Sequence, residues 1–258
     1  MRILVTFAVE AEFSPWLDLR KFQKRVLLPE FDGGLEGYEA ACGGNTVWVF
    51  LTGMGPGFRP EFSRLGMLAA KAGVEIAISA GLAGSLREDH RIGEVIVPQH
   101  LGSFGDAAGF RANADLVRLA KEHGAKAVDT LLTADRIIET GEEKSRLARI
   151  ADAVDMESHR IMQELAFANL PVATIKAISD ESNEDLPIDF AECLTPEGKV
   201  RALPLLRQLL RSPSRVPHLV RFGVRSRKAA AALAEFLDAW IKTLTPQAIK
   251  SDLGVAAE

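Results

Sequence analysis

Two carboxylate residues, Glu157 and Asp180, stand in the sequence where an α/β protein would bind a ligand. Glu157 ends a short apolar run ahead of a helical pattern, and Asp180 follows the near-continuous apolar segment 171–178. Such a segment is typical of a strand buried on both faces, and open α/β sheets bind ligands at the carboxyl ends of their strands. A carboxylic acid placed there can donate a proton to a leaving group. We therefore predict a site that contains both side chains.

Each candidate carboxylate also has a purely structural interpretation. An aspartate after a strand often caps the following turn, and a glutamate in the first turn of a helix is stabilised by the helix dipole. Glu12, which follows the first predicted strand, would then be an exposed helix residue. The chemical interpretation requires that the three carboxylates lie together in the fold.

The elements that would position these residues alternate between strands and helices. Apolar and β-branched runs predict strands at residues 2–7, 45–52, 75–80, 93–97, 125–133 and 171–178. Helices are predicted at residues 60–71, 113–123, 141–151, directly after Glu157, and at 224–244. We predict a small-residue turn at 81–85 and a loop at 101–110, and Pro98 is expected to end its strand. This alternation indicates an α/β fold around a mixed, largely parallel sheet.

The composition excludes several classes of protein. Of 258 residues, 47% are hydrophobic and 26% charged, so the chain can bury a sizeable core. A net charge of −4 argues against a general nucleic-acid binder, which needs a basic surface. Because Cys42 and Cys193 form no CxxC pattern and the five histidines form no HExxH pattern, we expect neither a disulfide framework nor a metal site.

The start of the chain and its hydropathy suggest where the protein works. Met1 leads directly into a predicted strand, without the pattern of a signal peptide. No apolar run reaches the ~20 residues that span a bilayer. We therefore expect a cytoplasmic protein without stable membrane insertion.

The amino-acid composition of the chain changes after residue 186. Residues 199–228 contain Lys and Arg but no Asp or Glu, and Pro204, Pro213 and Pro217 divide this stretch. We predict an α/β core at residues 1–186 and a basic helical C-terminal extension at residues 187–258 that packs on the core. The basic stretch is either a solvated face, as charge runs usually are, or a surface for anionic lipid or an acidic partner.

Four motifs resemble, in their order along the chain, one enzyme family. They are residues 8–12 (AVEAE), 52–55 (TGMG), 79–84 (SAGLAG), and 155–157 (DME) together with 176–180 (KAISD). They resemble the purine nucleoside phosphorylase superfamily, above all its nucleosidase branch, which includes methylthioadenosine/S-adenosylhomocysteine nucleosidase. The C-terminal region is loosely similar to hopanoid-associated phosphorylase-like proteins, superfamily members thought to remove adenine from adenosylhopane. The resemblance implies a three-layer α/β/α fold with a C-terminal helical extension.

The resemblance also implies a role for each matching carboxylate. The residue that matches Asp180 donates a proton to purine N7, and Ser179 before it holds its orientation. Glu157 matches the acceptor of hydrogen bonds from the ribose hydroxyls, and Met156 matches a residue that packs against the sugar. Glu12 matches the glutamate that activates the attacking water in nucleosidases.

Other matching positions are expected to line the substrate pocket. Ile137 and Ile138 fall where the family flanks and hydrogen-bonds the adenine. Gly55 and Gly81 belong to small-residue turns that let the backbone approach a ligand closely. The glycine-rich turn at 53–57 superficially resembles a dinucleotide fingerprint, but its spacing departs from G-x-G-x-x-G.

Three positions depart from the family pattern. Leu82 stands where the nucleosidases carry a serine, Val9 where they carry a sugar-pocket methionine, and Lys176 where they carry an arginine. Lysine keeps the charge of arginine but loses its bidentate fork. These departures argue against a simple transfer of methylthioadenosine as the substrate. They are compatible with an adenosine whose 5′ group is different, bulkier and more apolar.

The function that the sequence favours is a purine nucleosidase that releases adenine from a 5′-modified adenosine, without metal or organic cofactor. Because an acidic Glu12 would repel phosphate, hydrolysis is favoured over a nucleoside phosphorylase with phosphate as co-substrate. A second alternative is a nucleoside-binding protein of the same fold with weak turnover, which Leu82 and Lys176 leave open. Since the family is usually oligomeric, the resemblance implies a homo-oligomer, with a homodimer favoured.

Overall fold

The structure of the chain is a computed structural model that describes residues 1–28, 34–55, 59–193, 195 and 201–249. Two predicted segments fall partly outside the described residues. They are the glycine-rich turn, at residues 56–58, and the C-terminal extension, at residues 194, 196–200 and 250–258.

Ten strands form one mixed sheet. They are β1 (Arg2–Phe7), β2 (Gln23–Leu27), β3 (Leu35–Cys42), β4 (Asn45–Leu51), β5 (Ile76–Ser85), β6 (Val95–Ser103), β7 (Asp106–Arg111), β8 (Lys126–Thr133), β9 (Ala153–Asp155) and β10 (Val172–Asp180). Parallel pairings join β4, β1, β5 and β10, and also β6, β8 and β9. Antiparallel pairings add β2 and β3 beside β4, β7 beside β6, and link β6 to β10 and β9 to β5. Strands β5, β10, β6, β8 and β9 therefore close into a ring.

Eight α-helices occur in the described part of the chain. They are α1 (Glu10–Arg20), α2 (Leu65–Lys71), α3 (Ala114–Glu122), α4 (Gly141–Leu147), α5 (Ser158–Leu165), α6 (Phe190–Cys193), α7 (Ala202–Arg211) and α8 (Val216–Ile241). The predicted α/β class, mixed sheet and C-terminal helix are confirmed. The boundary after residue 186 stays a prediction. None of the described helices combines the length and the apolarity needed to cross a bilayer.

The side chains of β1 alternate between two parts of the core. Ile3 and Phe7 pack in a cluster that includes buried residues of α1, α3 and α8, whereas Leu4 packs in a second cluster with residues of α2 and α5. The second half of α8 packs one face into the first cluster, where Leu233 and Trp240 are completely buried. This half of α8 is therefore an integral part of the fold.

A polar contact fixes the same half of α8 against α1. Asp238 Oδ1 accepts hydrogen bonds from Trp16 Nε1 at 3.3 Å and from Arg20 Nε at 2.5 Å. Since α1 also carries Glu12, the C-terminal helix helps to hold a predicted site residue in place.

The predicted turn at residues 81–85 was wrong, because β5 continues through it to Ser85. This half of the strand keeps β10 as its partner on one side and gains β9 on the other. Its glycines allow close approach of side chains: a Cβ atom on Gly84 would lie 2.9 Å from Asp180 Oδ2. Glycine inside a strand often marks such an approach.

The prediction for residues 93–110 was also wrong. Pro98 does not end a strand, and the predicted loop at 101–110 is the end of β6 followed by β7. Proline is tolerated in a strand only where its missing N–H is not needed. On one edge β6 pairs with β10 at Val95 and Ile96 and with β7 from His100 onward, so Pro98 lies between the two partners.

The remaining differences concern element boundaries. The helix predicted at 60–71 is a 3-10 turn (Pro60–Phe62) followed by α2, and the helix predicted at 224–244 begins earlier, at Val216. Strands β2 and β3 were not predicted. Four of the five residues of β2 are exposed, so the strand lacks the apolar pattern on which the prediction depended.

Candidate active site

Eight predicted site residues line one cavity at the carboxyl ends of β5, β9 and β10. They are Glu12, Leu82, Ile137, Ile138, Met156, Glu157, Ser179 and Asp180. The cavity is completed by Ala8, Met54, Ala83, Gly84, Arg136, Val154, Asp155 and Leu186. The strand ends thus bring together the three carboxylates that the sequence singled out.

The other four predicted residues lie around this cavity. The backbone N–H of Gly55 donates to Glu157 Oε1 at 3.2 Å. Lys176 and Gly81 lie against Glu12, because a Cβ atom on Gly81 would be 3.1 Å from Lys176 Nζ and 2.9 Å from Glu12 Oε2. Val9, at the N-terminus of α1, lines a neighbouring cavity instead.

The Glu12 carboxylate is held by backbone groups of β5 and of the residue that follows β1. Its Oε1 accepts a hydrogen bond from the N–H of Leu82 at 3.0 Å, and its Oε2 accepts one from the N–H of Ala8 at 3.3 Å. Burial raises the pKa of Glu12, although the Lys176 ammonium and the two N–H groups oppose this effect. A fixed carboxylate with a raised pKa is a stronger base than a free glutamate, which suits proton abstraction.

Gly81→Ala is expected to disturb this arrangement. Gly81 has a φ of 150°, which favours glycine, and the added Cβ atom would press on Glu12 Oε2. We expect the free energy of unfolding to fall by about 1–3 kcal/mol, as for an overpacked site, measured by urea denaturation. Gly44→Ala is the matched control, because a Cβ atom there meets nothing within 4 Å. Equal stability of the two variants would contradict the assigned contact.

A buried ion pair lies beside Glu12. Lys176 Nζ is 3.0 Å from Asp155 Oδ2, and both side chains are almost completely buried. Asp155 also accepts hydrogen bonds from Thr133 Oγ1 at 2.7 Å and from the N–H of Ser158 at 3.1 Å. Burial acts to lower the pKa of Lys176, but the carboxylates of Asp155, Glu157 and Glu12 outweigh it and hold this pKa above its ordinary value. Lys176 therefore keeps its positive charge.

Glu157 has a strongly perturbed acidity. It precedes the first turn of α5 and is 8% exposed. Burial, together with the negative charges of Asp155 and Glu12, raises its pKa to about 8, although Lys176 and the N–H of Gly55 oppose the shift. A buried acid so perturbed in a cavity is typical of functional sites.

Asp180 is fixed by two neighbours at the end of β10. Ser179 Oγ donates to Asp180 Oδ1 at 2.7 Å, and Lys144 Nζ lies 2.5 Å from Asp180 Oδ2. Lys144 also donates to the carbonyl oxygens of Glu181 and Glu184, at 2.8 and 3.2 Å, so all three of its N–H bonds are used. Its side chain is completely buried.

Lys144, which was not predicted, is the main addition that the structure makes to the site. It lies in α4, whose sequence GEEKSRL reads as a charged surface helix. No local pattern distinguishes it from other basic helix residues such as Lys121 on α3 or Arg146 on α4, which are exposed. Its contact with Asp180 becomes visible only in the three-dimensional structure, where α4 packs against the segment that follows β10.

A sequence model of the phosphorylase superfamily matches residues 2–211. The chain is 30% identical over 143 residues to 5′-methylthioadenosine/S-adenosylhomocysteine nucleosidase of Buchnera aphidicola, covering 45% of this chain and 60% of that protein. It is 27% identical over 203 residues to the same-named enzyme of Shewanella halifaxensis, covering 68% of this chain and 87% of that protein. The chain thus spans three fifths of the Buchnera relative and most of the Shewanella relative.

The fold is similar to solved structures of two enzymes from Helicobacter pylori. One is 5′-methylthioadenosine/S-adenosylhomocysteine nucleosidase in complex with a substituted pyrrolidin-3-ol, with a TM-score of 0.67 and 20% identity over 95% of this chain and 99% of that one. The other is native futalosine hydrolase, with a TM-score of 0.68 and 20% identity over 95% and 98% of the two chains. At such identities the likeness establishes the fold alone.

Proposed function

The chain belongs to the phosphorylase superfamily, and we propose that within it the protein is a purine nucleosidase, an N-ribohydrolase that releases adenine from a 5′-modified adenosine. The observation that carries this proposal is the environment of Glu12. A carboxylate fixed by two backbone N–H groups points to a base for water, because it would repel a phosphate ion.

The positive charges around the cavity support hydrolysis for the same reason. In the part of the chain that the structure describes, Lys176, Lys144 and Arg136 lie near the cavity and each already contacts a carboxylate, on Asp155, Asp180 and Glu143 respectively. A phosphorylase would need cationic groups that are available to bind phosphate. The two sequence relatives reported above are named nucleosidases, which is consistent with a hydrolytic reaction.

The proposed reaction assigns one proton transfer to each end of the cavity. Glu12 removes a proton from water, whose oxygen forms the new bond to C1′ of the ribose. The C1′–N9 bond breaks, its electron pair stays with adenine, and Asp180 donates a proton to N7. That proton comes from Lys144 Nζ, which lies 2.5 Å from Asp180 Oδ2, because Asp180 at rest is the ion-paired partner of the Lys144 ammonium. Solvent afterwards returns a proton to Lys144 and takes the one that Glu12 has removed from water. Glu157 binds the ribose hydroxyls, an interaction that strengthens as the sugar becomes cationic.

The nature of the substrate follows from the residues that line the cavity. Leu82, Ile137, Ile138 and Met156 give it apolar walls, which suit a purine base and an apolar 5′ substituent. The named relatives include a nucleosidase for methylthio and homocysteinyl adenosines and a futalosine hydrolase. We infer a 5′-modified adenosine on this basis, in a reaction that uses water and no cofactor.

The proposal also includes the oligomeric state of the enzyme and its location in the cell. We infer a homodimer, since the family resemblance implies an oligomer, and a cytoplasmic location, since Cys42 and Cys193 are free thiols, as is usual in a reducing compartment. Analytical ultracentrifugation tests the first inference.

The test of the function is adenine release from a panel of 5′-substituted adenosines, with and without phosphate. We expect release that does not depend on phosphate and yields a free sugar. Glu12→Gln is expected to reduce the rate by about 10²–10⁴-fold, the usual contribution of a general base. The matched control is Glu10→Gln, an exposed glutamate on the same helix, which should keep the wild-type rate.

Two outcomes would contradict the proposal in different ways. Release that requires phosphate, with a sugar 1-phosphate as product, would identify a phosphorylase. Thermal stabilisation by a nucleoside without any release would identify a nucleoside-binding protein, because a ligand that binds only the native state raises its stability.

A further inference from the structure

Large hydrophobic side chains are exposed mainly in one short segment of the chain. Of the eleven exposed large hydrophobic residues among the described ones, six lie between residues 203 and 224. They are Leu203, Leu206 and Leu210 on α7 and Val216, Val220 and Val224 on α8. Leu203 and Leu210 are each 73% exposed.

Their spacing places these residues in rows. Residues three, four or seven positions apart share one face of a helix, so α7 carries a leucine row and the first part of α8 a valine row. Helix α7 has no buried residue. It packs through its other side, where Gln208 accepts a hydrogen bond from the N–H of Asp189 at 3.0 Å. The leucine row therefore faces away from the protein.

The same segment carries a positive charge that the rest of the chain does not share. Residues 199–228 contain nine Lys and Arg and no Asp or Glu, although the whole chain has a net charge of −4. Arg221 and Arg225 pair with Glu184. In contrast, Arg207, Arg211, Arg215 and Arg227 are exposed and form no ion pair with any described residue.

We propose that α7 and the first half of α8 dock onto an anionic membrane surface, on which they lie without crossing it. Helices that combine an apolar row with flanking Lys and Arg bind at the boundary of headgroups and acyl chains, most strongly on anionic lipid. A second copy of the chain fits this surface less well, because it would place like charges against each other. A nucleic acid would leave the leucine and valine rows in water.

The proposed membrane-binding surface on α8 lies close to Asp180. On α8, His218, Phe222 and Arg225 line a cavity that also contains Asp180. The second half of the same helix is buried in the core. A membrane bound to the valine row would therefore lie across α8 from this cavity, which shares Asp180 with the cavity that we propose as catalytic. The docking itself does not depend on the proposed reaction.

The test is co-sedimentation of the full chain with lipid vesicles. One set contains phosphatidylcholine alone and the other equal parts of phosphatidylcholine and phosphatidylserine. We expect at least tenfold stronger binding to the anionic vesicles, since each basic side chain near such a surface contributes roughly fivefold in affinity. High salt should weaken this binding.

Two double variants separate the apolar and the charged contributions. Leu206→Ser with Leu210→Ser removes part of the leucine row, and Arg207→Gln with Arg211→Gln removes two unpaired charges. Each should lower the binding at least about tenfold. The control is Leu19→Ser with Ile150→Ser, which changes two hydrophobic residues that are 53% and 60% exposed elsewhere, and it should bind like the wild type.

Circular dichroism would establish that all variants are folded. Equal binding to both vesicle sets, no binding to either, or equal loss in the control variant would overturn the proposal. So would a change from oligomer to monomer on size exclusion in the leucine variant, because it would show that the row contacts a second copy.

Discussion

Asp180→Asn is expected to slow adenine release by about 10²–10⁴-fold, because an amide cannot donate the proton that the leaving base needs. The measurement is kcat/KM on the best substrate of the panel. Asp18→Asn, an exposed aspartate on α1, is the matched control and should leave the rate unchanged. A rate within tenfold of wild type for Asp180→Asn would contradict the role of this residue as the acid.

Lys144 makes it possible to separate catalysis from stability at this position. Removing one partner of a buried ion pair typically lowers stability by about 3–5 kcal/mol, whereas removing both is far less harmful. Lys144→Met alone should therefore destabilise the fold, measured by urea denaturation. Adding Asp180→Asn should restore most of the lost stability. The double variant should nevertheless stay inactive, and recovery of activity in it would show that Asp180 acts only through the ion pair.

Glu157→Gln is expected to stabilise the fold at high pH while it reduces activity. The pKa of Glu157 is about 8 in the folded chain, well above its ordinary value of 4.5. Between these pH values the folded state holds a proton that the unfolded state has released, so the free energy of unfolding falls as the pH rises. Glutamine has no such proton. At pH 8.5 we expect the variant to be more stable than wild type by about 2–4 kcal/mol, at about 1.4 kcal/mol per pKa unit.

Urea denaturation at pH 5.5, 7 and 8.5 would test this expectation. Wild type should lose stability across this range. Glu157→Gln should lose less, though still some, because burial also raises the pKa of Glu12. Glu88→Gln, at an exposed position, should follow the wild-type trend. An unchanged pH dependence in Glu157→Gln would contradict the pKa assignment. Adenine release by this variant should fall at least about 100-fold, because hydrogen bonds to the sugar hydroxyls supply several kcal/mol.

The location of the site was predictable because its carboxylates stand at the ends of elements. The apolar run before Asp180 predicted a buried strand, and the carboxyl ends of such strands share one edge of a sheet. The motif order then placed Glu12 and Glu157 with it, and all three line one cavity. Their separate chemical roles stay predictions until the variants are measured.

The residues that support these carboxylates could not be predicted from the sequence. Lys144 and Asp155 both act through partners far along the chain, at Asp180 and Lys176. A lysine in a charged helix gives no sign that its side chain is buried. The pKa of Glu157 likewise depends on Asp155, Lys176 and Glu12 together. It therefore cannot be predicted from the residues next to Glu157 in the sequence.

Glycine and proline misled the prediction of secondary structure for an identifiable reason. In short-range patterns both residues indicate turns, and so Gly81, Gly84 and Pro98 were expected to end strands. In the fold the glycines make room for Glu12 and Asp180 inside β5. Pro98 occupies a gap between two partner strands. Both features depend on which strands become neighbours.

The contacts that hold the site join parts of the chain that are distant in sequence. Leu82 lies 70 residues from Glu12, Gly55 lies 102 residues from Glu157, and Lys144 lies 36 residues from Asp180. Folds dominated by such non-local pairings form slowly, because long loops must close before any contact is gained. During synthesis, Glu12 can meet Leu82 early, whereas the proton donor arrives only after β10 has left the ribosome. The catalytic cavity therefore cannot exist before β10 has been made, and recovery of activity would report that the chain has folded at least as far as Asp180.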